Sequence, residues 1–167
     1  MLPPPLASKD SVAEERKILV MGMGNMLFSD EGFGVHVAQR MAEMTLPEGV
    51  DVLDAGAVGH NMIFYIEGYK KIVAIDLVRQ GKAPGTIYRL QEEELASMPT
   101  ECFTLYHLKL MNALADTVHL GTKPDVVMFG VEPQDIGQAG FELPDELEAR
   151  VPEVITRVLE EIETATA

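Results

Sequence analysis

KIVAIDLV, residues 71–78, is the stretch that decides the fold. It is a nearly continuous apolar run of strand length, the pattern of a strand covered on both faces. A single carboxylate, Asp76, interrupts it near its end. An unpaired charge inside a buried strand is costly, so Asp76 calls for a partner or a metal.

Working outward, KILVMG (17–22), VDVLDAG (from Val50) and PDVVMFGVEP (124–133) read as three more strands, each stopping at a glycine or a carboxylate. Between the first two, Phe33, Val37, Ala38, Met41 and Met44 recur at threes and fours and mark one helix face, with Asp30 a plausible cap. AVGHNMIFYIEGY predicts a second helix, and Leu108, Met111, Leu114 and Ala115 a third around His107. GTIYRL follows RQGKAPG after a loop too short for a helical crossover, so that strand is expected antiparallel to its predecessor. A closing helix lies between Asp145 and Glu163, broken or restarted at Pro152. The expected architecture is α/β: a three-layer αβα sandwich whose mixed, mostly parallel sheet has about five strands with helices on both faces.

A chain of 167 residues with 47% apolar content suits one domain, expected over residues 17–167, after a proline- and charge-rich tail over residues 1–16 that has no apolar secretion core. The net charge of −14 repels phosphate backbones and anionic membranes, which argues against nucleic acid as a partner. No window is apolar for the length of a membrane span. Cys102 is the sole cysteine, so neither an internal disulfide nor a cysteine-based zinc cage can form, and a reducing cytoplasm fits best.

Glu31, Asp54, Asp76 and His107 each stand where an apolar run stops or a helix begins. In an open α/β sheet such positions gather along one edge, so residues far apart in sequence can meet in one cleft. Each also has a plainer explanation. Glu31 could serve only the helix dipole, a stabilisation of roughly 0.3–1 kcal/mol. Asp54 could organise the following turn, and a lone helical histidine is more often a surface or core residue than a ligand. If Glu31, Asp76 and His107 converge, two carboxylates and an imidazole form an incomplete shell suited to nickel or zinc. A dinucleotide site at GMGN is disfavoured, because Leu27 replaces the third glycine and Asp30 with Glu31 would repel a pyrophosphate. Cys102 reads as a small buried hydrophobe rather than a nucleophile, and Met21, Met23 and Met26 as packing. His36, His60 and His119 have no comparable setting.

Taken together, ILVMGMGN with SDEGFG, VLDAGAVG, AIDLV, APGTI, His107 with its helix, and FGVEP resemble the hydrogenase maturation endopeptidases. The resemblance covers most of the chain outside residues 1–16. It implies an aspartyl-type peptidase that removes the C-terminal extension of the nickel-loaded large-subunit precursor of a nickel–iron hydrogenase. It also implies a metal site carried by Glu31, Asp76 and His107, with Asp54 a further acidic catalytic position beside Glu31 and Asp76. Nickel would be supplied by the substrate, and zinc or cadmium could stand in for it in a crystal. The expected partner is the precursor, met by a monomer. The alternative is a non-catalytic nickel or precursor-binding chaperone, since the same carboxylates serve a ligand and a catalyst.

Overall fold

The computed structural model describes residues 18–57 and 61–167. Five strands, β1 (Ile18–Gly22), β2 (Val50–Asp54), β3 (Lys71–Leu77), β4 (Ile87–Gln91) and β5 (Asp125–Val131), form one sheet in the order β2-β1-β3-β5-β4. All neighbours are parallel except β4, which runs antiparallel to β5. The antiparallel direction of GTIYRL is therefore as expected. Its hydrogen-bonded neighbour is β5 rather than β3, because β5 takes the place beside β3.

Among the described residues the helices that cover the sheet are α1 (Phe33–Ala42), α2 (Met62–Ile66), α3 (Glu92–Ser97), α4 (Leu105–His119), α5 (Asp145–Glu148) and α6 (Val151–Thr166). Side chains alternate between the two faces of a strand, and β3 shows the consequence. Val73, Ile75 and Leu77 pack with Phe33, Val37 and Met41 of α1 and Val154, Val158 and Ile162 of α6. Ile72, Ala74 and Val78 pack with Met62 and Ile66 of α2 and Leu110 and Leu114 of α4. Asp76 shares the second face by the same alternation, which points it towards α4. Phe33, Val37 and Met41 are wholly buried, and a fully buried side chain of this kind stabilises by about 1.5–3 kcal/mol. Met21 and Met23 are likewise core residues.

Several expectations need correction. Met44 lies beyond the end of α1 and is 40% exposed, so it does not extend that helix face. Asp30 does not cap α1: it sits inside a 3₁₀ turn, Ser29–Gly32, and its carboxylate is directed elsewhere. The helix expected from AVGHNMIFYIEGY is only the five residues of α2, which stop short of Gly68 at φ +89°, while residues 58–60, including His60, lie outside the described residues. Helix α3 was not legible from periodicity. It is nucleated by a capping box in which the side chains of Gln91 and Glu94 each accept from the other's backbone N–H. Pro152 does open a new first turn, that of α6. Residues 1–17 lie outside the described residues, and among those described no helix is long and apolar enough to cross a membrane.

One close approach fixes the geometry above β3. A Cβ on Gly34 would stand 2.2 Å from the Ile75 carbonyl oxygen and 2.3 Å from that of Met23. The first turn of α1 thus lies directly on backbone, and only glycine permits it. This contact brings Glu31, three residues earlier, over the C-terminal end of β3.

Candidate functional site

The connection from β1 passes through α1 on one face of the sheet, and the connection from β2 passes through α2 on the other. Where consecutive crossovers diverge to opposite faces, the loops part and leave a crevice at the carboxyl ends of the strands. A cleft of about 560 Å³ opens there. Asn25, Glu31, Leu77, Arg79, Phe103 and Tyr106 contribute to its walls.

Asp76 is the penultimate residue of β3 and is 0% exposed. Its Oδ1 accepts from the Leu77 N–H at 2.7 Å, and its Oδ2 accepts from the Thr104 hydroxyl. Burial raises its pKa from 3.8 to about 7; the two hydrogen bonds hold the rise back, and the negative charge of Glu31 adds to it. That mutual influence places Glu31 and Asp76 in one electrostatic environment. Tyr106 belongs to it as well: burial, and after it the charge of Glu31, raises the phenol, a hydrogen bond with Asn25 lowers it, and Asp76 raises it slightly further.

Thr104 connects this environment to α4. It caps the helix, its Oγ1 accepting from the His107 N–H at 3.3 Å while its hydroxyl proton goes to Asp76. His107 is 2% exposed, with its ring stacked on Phe103 at 4.0 Å between centroids. Burial lowers its pKa to about 4, so the imidazole is neutral at pH 7. Among the described residues its Nδ1 is buried without a hydrogen-bond partner. A neutral imidazole with an unsatisfied ring nitrogen, a half-buried Glu31 carboxylate and an Asp76 poised near neutrality fit a divalent cation in kind. They do not form a ready cage, since among the described residues no three His, Cys, Asp or Glu side chains are gathered closely enough to hold one.

Asp54 ends β2, level with Gly22 of β1 on the same sheet edge. Its Oδ1 accepts from the Gly56 N–H at 3.0 Å and its Oδ2 from Gln39 at 3.3 Å, so it organises its own turn. Asp54, Asp76 and His107 do not line the 560 Å³ cleft; of the four expected site residues Glu31 is the one in its wall, with Asp76 and His107 buried behind Leu77, Phe103 and Thr104. His36 and His119 lie on α1 and in the last turn of α4. Cys102 is half-buried rather than wholly buried, and it lines the cleft wall. Cys102 is read as part of the wall rather than as the nucleophile, so Cys102→Ala should leave turnover of the substrate unchanged in a cleavage assay. A dead variant that still folds would make it the nucleophile.

Residues that periodicity passed over complete the setting. Thr104 was legible only as a small polar residue three positions before His107, the spacing of a helix cap. Asp30, 2% exposed, accepts from the N–H groups of Gln134 at 2.6 Å and Asp135 at 2.7 Å. Phe28 bridges Ala139, and Ser29 bonds to the Glu142 carbonyl, so the turn carrying Glu31 is stitched to the loop after β5. Glu132, read only as part of a strand end, accepts from Gln80 N–H, Gly81 N–H and the Tyr88 hydroxyl and pins the loop after β3.

Comparison with known proteins adds to this geometry. The model of the HycI family, described as hydrogenase maturation protease, matches residues 35–161. A putative hydrogenase maturation protease of Methanocaldococcus jannaschii is 32% identical, over 89% of this chain and 98% of that protein. The hydrogenase expression/formation protein HupD of Rhodobacter capsulatus is 28% identical, over 87% of this chain and 71% of its own length. Among solved structures, the hydrogenase maturating endopeptidase HybD of Escherichia coli superimposes with a TM-score of 0.81 at 26% identity, covering 89% of this chain and 93% of that one.

Proposed function

We propose, for a chain that belongs to the hydrogenase maturation protease family, that it cuts the C-terminal extension from the nickel-loaded large-subunit precursor of a nickel–iron hydrogenase. The observation that carries this reading is Asp76, a fully buried carboxylate at the end of a central strand, sensing Glu31 at the crevice where the crossovers part. Buried carboxylates raised towards neutrality are the groups that can hold a cation in one protonation state and a proton in the other.

Nickel, on this reading, is part of the substrate and is not resident in the protease. Glu31, Asp76 and His107 are the donors that meet it, and their incomplete gathering suits a site completed by ligands from the precursor. Binding there favours Asp76 in its ionised form, so engagement of the precursor should release a proton below about pH 7. Thr104 and the Leu77 N–H each engage one Asp76 oxygen, which leaves each oxygen a second lone pair for a cation or a proton. The nickel would orient the scissile bond and could polarise its carbonyl. On this reading either Glu31 or Asp76 serves as general base towards water, and Asp54 is retained as an acidic position at the same sheet edge.

The test is purified precursor, nickel-loaded and nickel-free, incubated with the protein and followed by mass. The loaded form should lose its C-terminal extension while the nickel-free form stays whole. Equal cleavage of both would remove nickel from the recognition step. Stable binding of the loaded precursor with no mass change would establish the chaperone alternative instead.

A further inference from the structure

Ten of the 13 lysines and arginines fall among the described residues. Arg40, Lys71, Arg89, Lys123, Arg150 and Arg157 are ion-paired within the chain. Lys82 and Lys109 lie over the rings of Tyr88 and Tyr106, and Lys70 has an interaction of its own. Arg79 differs from all of them: among the described residues its guanidinium has no ion pair, ring or hydrogen-bond partner. In a chain with 27 acidic residues and a net charge of −14, an arginine left unpaired is conspicuous.

Its position gives the observation weight. Arg79 follows β3 by two residues and lines the 560 Å³ cleft beside Glu31 and Leu77. Its backbone is held, with its N–H donating to the Cys102 carbonyl at 2.8 Å and the next two N–H groups donating to Glu132. The loop is thus pinned by its backbone while the side chain stays exposed and uncommitted. Lys109 is the other cation on the cleft wall.

We infer that Arg79, with Lys109 as a weaker auxiliary, binds a carboxylate of the precursor's C-terminal extension and so determines which peptide lies across the cleft. The inference rests on the endopeptidase reading above. A guanidinium on a fixed loop presents a planar fork that matches a carboxylate with two parallel hydrogen bonds. The protein's overall negative field disfavours acidic peptides everywhere else on the surface, so a local cationic site sets the register of an acidic segment. The carboxylate can be the chain terminus of the extension or an acidic side chain within it, and the two are separable by experiment.

Steady-state cleavage of nickel-loaded precursor is measured for the wild-type protein and for Arg79→Glu, an exposed substitution with no internal partner to lose. Three precursors are used: unaltered, lengthened by a neutral Gly-Ser run that displaces the terminal carboxylate, and with the acidic side chains of the extension changed to amides. For the unaltered precursor, Arg79→Glu should raise KM by about tenfold with kcat retained, and the effect should weaken with added salt. One altered precursor should show a similar loss with the wild-type protein and almost no further loss with Arg79→Glu, which identifies the carboxylate by coupling. Arg79→Glu within about twofold of wild type on the unaltered precursor, or losses that multiply independently for both altered precursors, would overturn the inference. Failure of the wild-type protein to cut any precursor would instead overturn the endopeptidase reading, so the two failures are distinguishable.

Discussion

Asp76→Asn should abolish cleavage of the nickel-loaded precursor while leaving a folded protein, with a loss of at least about 10²-fold in kcat/KM. Asparagine has nearly the shape of aspartate, and its side-chain oxygen can still accept from the Leu77 N–H that Asp76 now engages. What it cannot do is ionise. A neutral amide neither attracts a cation nor takes a proton from water, so either role proposed for Asp76 is lost. The fold should gain at alkaline pH, because burial already drives the native carboxyl towards its neutral form at about pH 7. Thermal melting at roughly pH 8 should therefore show Asp76→Asn at or above the wild-type Tm. Retained cleavage by a variant with that melting behaviour would exclude Asp76 from the chemistry.

The second large effect is a pair of opposite pH dependences that the wild-type protein conceals. Between about pH 4 and 6.5 the folded chain holds a proton on Asp76, whose pKa is about 7, and none on His107, whose pKa is about 4. The unfolded chain does the reverse, with carboxylate at 3.8 and imidazole at 6.5. Each state binds one proton across the pair, so the pair gives stability no slope in that window. Substitution uncovers each half. In His107→Asn the raised carboxyl remains, the folded state binds the extra proton, and stability should fall by up to about 4 kcal/mol as pH rises from roughly 4 to 7. In Asp76→Asn the depressed imidazole remains, and stability should be lost by up to about 3 kcal/mol as pH falls from roughly 6.5 to 4. Denaturant unfolding of the three proteins across this range measures both signs. Parallel curves for all three would show that the two groups are not buried in the protonation states described.

The parts of this fold that were legible in advance are those governed by local periodicity. KIVAIDLV and PDVVMFGVEP are strands because both their faces are apolar, and they lie adjacent in the sheet with β3 and β5 buried at every position after the first. Helix α1 was legible because Phe33, Val37 and Met41 face one core. Short elements were not. The six residues of α3 span too few turns to show a period and depend on reciprocal capping by Gln91 and Glu94, whereas α5 and α6 fill the expected closing stretch with its break just before Pro152. Asp30 illustrates a different failure. Its place before an apolar helix has the appearance of a cap, but its carboxylate serves two N–H groups more than 100 residues away, a partnership no local window contains.

The candidate site divides in the same way. Asp76 could be singled out from the sequence because a charge in an apolar strand announces its own cost. Thr104 and Arg79 could not, since a threonine before a helix and an arginine in a loop are ordinary in any soluble protein. Their importance comes from what surrounds them: Thr104 faces Asp76 across the gap between β3 and α4, and Arg79 lines the cleft without an ion-pair partner among the described residues.

The strand and helix alternation, the parallel sheet that follows from it and the positions at which carboxylates end strands are all legible in the order of residues, because they depend on the spacing of apolar residues within a few turns of backbone. The remainder depended on packing in three dimensions. The sheet order put β1 beside β3, glycine at position 34 let α1 settle onto their backbone, and burial then moved the pKa values of Asp76 and His107 in opposite directions. Desolvation is a property of what surrounds a group in space, and residues distant in the chain supply those surroundings.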